Sequence, residues 1–515
     1  MLYRTVYSGR PSPAVKSSTE PSMKSGFIHL LILAIVGFAL LLVFSGCTVG
    51  PNYQRASVAT PAQFTNEGNN TGATWKEAAP KDDLAKGLWW EMYGDPQLNA
   101  LEQQASDHNQ DLQAAMARVD EARALSRVAK SEFYPTLTAN PSADVFRQSA
   151  NRPVPPPGPY TSFSSGDINA PLDLSYEADI WGRVRRSYEA TKADFQASVA
   201  DYETIRLTLH AEVAQNYFTL RAVDTELAVL NATIDLRQQS LNLIDDRFQN
   251  GASSDLEVAQ AENALATTQS DLASVEKQRA AFEHSLAVLV GTPPESFHLT
   301  SPILTGLPPE IPPGTPSDLL ERRPDVAQAE RTMAAANARI GVAKAAFFPV
   351  VKLVGTAGLE SVNFGSLFDW PSRMWAVGPS ISLPIFEGGR NVANLSRAQA
   401  TYVETVAEYR QQVLVAFQEV EDGLSGLNLL ARQAAAEQRA VSSAQRAYDL
   451  ANSRYQEGSV SYLYVVDIQR TLLENQREAV QTLGQQYVTS VLLVKALGGG
   501  WQDSSIKDFY TASSN

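Results

Sequence analysis

Leu463 and Asp467 stand four residues apart, just past Arg454-Tyr-Gln-Glu-Gly458, so on a helix they share one face. By spacing alone the pair reads as a packing seam beside a solvated acid. The chain has one cysteine, Cys47, so no intrachain disulfide is possible and its thiol is left for other chemistry. His29, His108, His210, His284 and His298 are scattered and never reach metal-ligand spacing. His108, His210 and His284 read as solvated or packed helix-face residues. There is no P-loop, nucleophile elbow or dinucleotide fingerprint, which argues against a metal or nucleotide enzyme. The formal net charge is −14 and no Lys/Arg-rich run occurs, so nucleic acid is a poor partner. The acidity fits either plain solubility or a polar lumen that favours cations.

The first 46 residues read as a signal. Phe27 to Phe44 is apolar except for His29, follows Lys24 and precedes Ser45-Gly46-Cys47. Small residues before a lone Cys resemble a bacterial lipobox, although Phe44 stands where such motifs usually carry Leu. The run also approaches the length of a membrane span, so an uncleaved anchor is the other reading. Met23-Lys24 makes a conventional start, so the polar, Pro-rich residues 1–22 read as a start-site misassignment that is not translated. Thr48, where an inner-membrane lipoprotein would carry Asp, favours the outer membrane.

The elements that must position these residues come in duplicate. Arg247-Phe-Gln-Asn-Gly251-Ala-Ser-Ser254-Asp-Leu256 returns as Arg454-Tyr-Gln-Glu-Gly458-Ser-Val-Ser461-Tyr-Leu463, an offset of 207 residues (454 − 247). Trp181-Gly-Arg183 answers Gly388-Gly-Arg390 with the same shift, and Phe133-Tyr-Pro135 answers Phe347-Phe-Pro349 with a shift of 214 (347 − 133). A period this long points to one pseudo-symmetric body. Arg183 to Asn250 lacks Gly and Pro and is rich in helix formers, predicting a rod of roughly 100 Å if continuous. Ala252 to Val290 returns from a tip at Gly251. The second copy runs from Asn391 to Asp422, is expected to pause at Gly423 and Gly426, continues to Glu457, turns at Gly458 and returns to about Leu497.

Between rods the period shifts to two. Ile168 to Glu177 and Trp375 to Ile385 alternate apolar and polar residues, as a transmembrane β-strand or a half-buried soluble strand would. Thr136 to Ser149 and Val350 to Glu360 are weaker partners, so each copy carries one β-hairpin, the first joined by the Pro-rich loop Asn151 to Pro159, expected to be exposed. Two hairpins give four strands. Outer-membrane barrels begin at about eight, and open edges are not tolerated in lipid. Membrane strands would therefore require oligomerisation.

These residues resemble the outer-membrane efflux protein family (TolC-like), in the lipoprotein branch typified by OprM. The similarity rests on Cys47-Thr-Val-Gly-Pro-Asn-Tyr-Gln-Arg55, Trp89-Trp-Glu-Met-Tyr-Gly-Asp95-Pro-Gln-Leu98, Arg322-Arg-Pro-Asp325 and Leu383-Pro-Ile-Phe-Glu-Gly-Gly-Arg390. It implies a mixed α/β membrane protein and a homotrimer whose 3 × 4 = 12 strands form one outer-membrane β-barrel, continuous with a periplasmic α-helical barrel. It implies a passive duct for small molecules, working with a periplasmic adaptor (membrane fusion protein) and an inner-membrane pump of the RND type, without cofactor or metal. Cys47 would carry N-palmitoyl and S-diacylglycerol groups. Arg247, Gly251, Arg454 and Gly458 would form the adaptor-docking tips, while Leu463 and Asp467 would form the periplasmic gate, the Leu excluding water and the Asp ring attracting cations. Tyr464 stands where the TolC-like pattern has a second Asp.

The expected division is a signal at 1–46, a lipidated extended segment at 47–85, a first repeat at 86–300, a second at 301–500 and a tail at 501–515. The first repeat holds a β-hairpin at 136–177 and a helical hairpin at 183–290, and the second a β-hairpin at 350–386 and a helical hairpin at 391–497. A secretion duct for proteins would share this fold. A non-conducting periplasmic coiled-coil scaffold would share the rods but not the alternating strands.

Overall fold

The computed structural model describes residues 48–58, 88–151, 162–300, 303–311 and 322–499. The readings of the signal, of Cys47, of nearly all the Pro-rich loop and of the tail lie outside the described residues. The chain forms two compact units. Of the described residues, one unit holds Thr48–Val49 and those within Pro135–Arg183 and Phe348–Leu383; the other holds those within Gly50–Tyr134 and Val184–Phe347 and those from Pro384 on. Each draws on both repeats, so the compact units follow element type, not the repeat boundary at residue 300.

The first unit is an antiparallel sheet of β1 (Thr136–Ala139), β2 (Ser142–Gln148), β3 (Phe163–Ala178), β4 (Val350–Ser361) and β5 (Arg373–Ser382). Its order is β1-β3-β4-β5, with β2 also on β3. The expected single partner strand from Thr136 to Ser149 is thus broken at Asn140-Pro141, because proline offers no N–H to the ladder. The register survives the break: Ala139 pairs with Leu172 and Ser142 with Asn169, three residues on along each strand. β1 and β2 therefore occupy one strand position, and the sheet is four positions wide. β5 stops at Ser382, short of the expected Ile385, where Pro384 removes the next donor.

Register sorts the sheet into two faces. Leu137, Ile168, Leu172, Leu174, Leu353, Leu359, Trp375, Val377 and Ile381 share one. Asp144, Asp167, Asp173, Thr356 and Glu360 share the other, where Thr356 Oγ1 donates to Asp173 Oδ1 and Asn140 donates to Asp173 Oδ2. Trp375, Val377 and Ile381 are each at least 66% exposed, so among the described residues nothing covers this face there. Strand–helix junctions of the two repeats meet where the Trp181 ring stacks on Phe348 at 4.6 Å and its indole N–H donates to the Pro349 carbonyl.

The second unit is helical: α1 (Pro96–His108), α2 (Gln110–Ser131), α3 (Arg183–Gln249), α4 (Asp255–Leu289), α5 (Pro324–Ala345), α6 (Arg390–Gln456) and α7 (Tyr462–Ala496). α6 runs unbroken through Gly423 and Gly426, against the expected pause. These glycines serve packing: a Cβ on Gly423 would sit 3.1 Å from the Leu493 side chain, and one on Gly426 3.2 Å from Thr489. Asp95 caps α1, accepting from the N–H groups of Gln97 and Leu98, and its other oxygen accepts from Tyr217 and Arg221 of α3. The Trp89-to-Leu98 motif thus pins a short helix to a rod. Arg323 similarly bridges Asp325, Glu419 and the Ala496 carbonyl, tying the start of α5 to α6 and the end of α7.

The largest core joins α1, α2, α3, α4 and α7 around Leu98, Tyr217, Phe218, Leu286 and Val491. Inside it Glu102 and His210 meet at 2.7 Å, with the His210 ring against Trp90. Burial pushes the Glu102 carboxyl well above its usual range. Burial, aided by Arg206, pushes His210 down to about 3. Burial thus disfavours the charged form of both partners, which share the hydrogen bond between Glu102 Oε2 and His210 Nδ1.

Candidate functional site: the hairpin tips

The two tips have the same local geometry. Gly251 and Gly458 adopt φ of 74° and 76°. The Gly251 N–H donates to the Phe248 carbonyl and the Ala252 N–H to that of Arg247; Gly458 N–H donates to Tyr455 and Ser459 N–H to Arg454. This is the Schellman end of a helix, with the glycine in the left-handed position that L residues resist. Each tip arginine thus serves through its carbonyl. Open space surrounds the position a Cβ would take on either glycine. Conformation, not crowding within the chain, sets the demand for glycine.

Beneath the tips lies a shared core of Ile244, Ala261, Tyr448, Tyr455, Tyr462, Val465 and Leu472, drawn from both helical hairpins. The Arg247 guanidinium lies over the Tyr455 ring, which packs on Tyr462 with ring centroids 5.5 Å apart. Burial pushes the Tyr462 hydroxyl up to about 12, against the pull of Arg237. Arg237, itself buried, donates to the Ala264 carbonyl at 2.5 Å and to Thr268, lacing α3 to α4.

The tips differ in the residue that follows. Ser254 caps α4 through the Glu257 N–H, and Asp255 and Glu257 place negative charge in the first turn. At the second tip Ser461 makes no side-chain cap bond and no acid lies in the first turn, since Tyr462 replaces Asp255 and turns into the core. Leu463 (56% exposed) and Asp467 lie on one face of α7, with Tyr464 exposed nearby. Asp467 accepts from Arg470 at 2.6 Å, and Arg470 also approaches Glu474. Arg470 was not among the residues singled out from sequence; three positions after Asp467, it could have been found by the rule that such neighbours pair on a helix. Among the described residues no cluster of His, Cys, Asp and Glu suits a metal ion, and no helix is long and apolar enough to cross a membrane.

A two-faced antiparallel sheet with one apolar face left uncovered, combined with two long helical hairpins, defines an outer-membrane channel subunit. The family model described as outer membrane efflux protein matches residues 101–292 and 315–499, and the chain belongs to that family. It is 32% identical over 471 residues to the cation efflux system protein CusC of Escherichia coli O6:H1, covering 91% of this chain and 99% of that protein. It is 33% identical over 468 residues to the solvent efflux pump outer membrane protein SrpC of Pseudomonas putida, covering 91% and 98%. It is 30% identical over 476 residues to the probable outer membrane lipoprotein SilC of Salmonella typhimurium, covering 91% and 99%. Among solved structures, the outer-membrane channel OprN superposes with a TM-score of 0.80 at 30% identity, covering 88% of this chain and all of that one. The protein is thus an outer-membrane efflux channel and not an enzyme, and it acts at the cell outer membrane as part of a tripartite efflux system.

Proposed function

We propose that three copies close into one passive duct for small toxic molecules, gated at its periplasmic end and handed its cargo by an RND-type pump through an adaptor. The observation that carries this reading is the sheet itself: four strand positions, one apolar face and an unpaired edge on both β1/β2 and β5. Backbone groups at such edges cannot stay unpaired in lipid, and three copies supply twelve strand positions, an even number above the barrel minimum. Since β1/β2 and β5 run antiparallel, β5 of one copy can continue the ladder of the next.

Leu463 and Asp467 form the gate, and Arg470 offsets the repulsion among three Asp467 carboxylates. The second tip suits a moving part, because it lacks the side-chain cap and acidic turn of the first. Arg247, Gly251, Arg454 and Gly458 form the adaptor-docking surface, helped by the open space around both glycines. Cys47 carries the lipid, N-palmitoyl and S-diacylglycerol, in keeping with the lipoprotein relative. Cargo is of the kind named for the relatives CusC and SrpC, cations or solvents.

The test is conductance of the purified protein in planar bilayers, wild type against Leu463→Ala/Asp467→Ala. A channel that opens more readily in the double variant is expected; a protein that inserts but never conducts would sink the duct. For the anchor, Cys47→Ser is expected to abolish palmitate labelling, and labelling that persists refutes lipidation there.

A further inference from the structure

Among the described strand residues the apolar face of the sheet carries two charged side chains, Arg147 and Arg373. Arg147 pairs with Ser164 and Arg373 with Leu359, which fixes both on the face of Leu172 and Trp375. The strand acids Asp144, Asp167, Asp173, Glu177 and Glu360, with Lys352, fall on the opposite face. Both arginines stand at the loop end of the sheet: Arg147 is next to last in β2 and Arg373 is first in β5. Strand ends there step in one sense, Gln148 facing Phe163 while Ser361 faces Ile168, the stagger expected of tilted barrel strands. The two arginines therefore mark one rim.

Their surroundings suit the boundary between hydrocarbon and headgroups. The Arg373 guanidinium lies over the Trp370 ring, 3.5 Å from its centroid, in a loop where Phe364, Phe368 and Trp370 are each at least 70% exposed. Amphipathic rings settle at that depth, and an arginine there extends its charge to the polar side. Trp375, Val377 and Ile381 continue the apolar face inward from Arg373. Among the described strand residues no acid on this face pairs with them: Arg147 Nη2 donates to the Ser162 hydroxyl and Arg373 stacks on Trp370, and their remaining N–H groups can take phosphate, whose oxygens a guanidinium matches in bidentate fashion.

β1/β2 and β5 are opposite edges of one sheet. On the reading that neighbouring copies close a ring, they become adjacent, and Arg147 of one copy comes to the same seam as Arg373 of the next. We propose that each seam binds the phosphate headgroup of an outer-leaflet lipid between these two arginines.

The experiment uses the full chain in nanodiscs of phosphatidylcholine, titrated with bisphosphorylated lipid A or with its dephosphorylated form, with retained lipid read by native mass spectrometry. Wild type is expected to retain the bisphosphorylated lipid and release the other. Arg147→Gln and Arg373→Gln should each lower retention about tenfold, from roughly 1 kcal/mol per basic residue at an anionic surface plus the lost bidentate contact. Equal retention of both lipids by wild type, or undiminished retention by the double variant, overturns the site. Displacement by inorganic phosphate alone overturns the lipid assignment in favour of a free-anion site. Oligomeric mass and conductance of the same samples separate the two ideas: a conducting trimer indifferent to lipid phosphate sinks only the site, whereas a wild type that never assembles sinks the ring and the seam together.

Discussion

The guanidinium of Arg247, at the end of the first long helix, lies 5.1 Å from the centroid of the Tyr455 ring at the end of the second. The copies of the repeat are thus joined at their tips by a contact that neither could make alone. Arg247 is half-buried, and a partly exposed cation–π pair of this kind is worth about 0.5–1 kcal/mol. Arg247→Ala is expected to raise amide hydrogen exchange at both tips, with Arg247→Lys recovering part of the loss. Faster exchange confined to the first tip would show the contact to be energetically idle.

The tip glycines separate turn from docking. Gly458→Ala must hold an L residue at a φ of 76°, a strain of about 1–2 kcal/mol. Gly458→Asn tolerates that conformation far better while adding a side chain where space is open. If the tip is a docking surface, the Asn variant should keep wild-type thermal stability yet bind the purified adaptor more weakly in a pull-down or calorimetric titration. Unchanged adaptor affinity would leave the glycine a purely conformational role.

Asp467 and Arg470 are both more than 60% exposed, so their ion pair adds no more than about 1 kcal/mol to the fold. Arg470→Ala should leave the melting temperature unchanged. If Asp467 lines a trimeric gate as proposed, the variant should also leave three carboxylates uncompensated there, raising cation selectivity and open probability most at low salt, where screening is weakest. A reversal potential that does not move in a salt gradient would remove Arg470 from the gate.

Glu102 and His210 give stability a signed dependence on pH. Between 4.5 and 6.5, the ordinary values for the two groups, their slopes oppose: Glu102 binds its proton more tightly folded than unfolded, whereas His210 binds its own less tightly. Below 4.5, down to the folded His value of about 3, the unfolded pair binds two protons, and stability falls with falling pH. On the alkaline side the buried Glu102 carboxyl keeps its proton to higher pH than it does in the unfolded chain, so its contribution to stability falls as pH rises from 4.5 toward that elevated value. Glu102→Gln should flatten the alkaline limb in chemical denaturation curves taken across pH. An unchanged limb would mean that the pair carries no such proton.

Gly484 sets helix propensity against packing. Alanine normally gains about 1 kcal/mol over glycine inside a helix. Here its Cβ would stand 2.6 Å from that of Ala222. Overpacking costs about 1–3 kcal/mol, so Gly484→Ala should destabilise on balance, and Ala222→Gly in the same chain should restore much of the loss. A stabilised Gly484→Ala variant would show that α3 and α7 can part freely at this level.

What could be read from sequence was whatever repeats or alternates. The tip glycines announce themselves because the same turn is spelled twice, and the strands because lipid and water impose opposite demands on successive residues. What escaped reading depends on partners far along the chain. Gly423 looks like a helix breaker until Leu493 is seen against it. Pro141 interrupts a strand without shifting its register, which no local rule foretells. His210 has no sequence neighbour that marks it as the partner of Glu102, 108 residues earlier. Arg470 was legible in principle, since its partner lies within a single helical turn.

The bare edges of the sheet also bear on inheritance. In a ring of three, each subunit lends an edge to both neighbours, so a variant crippled at β5 can be incorporated through its sound β1/β2 side and leave the ring open at one seam. Random mixing of equal amounts of sound and crippled chains would leave only about one ring in eight intact. Such alleles should be dominant, and the harm they do should follow the dose of the defective copy.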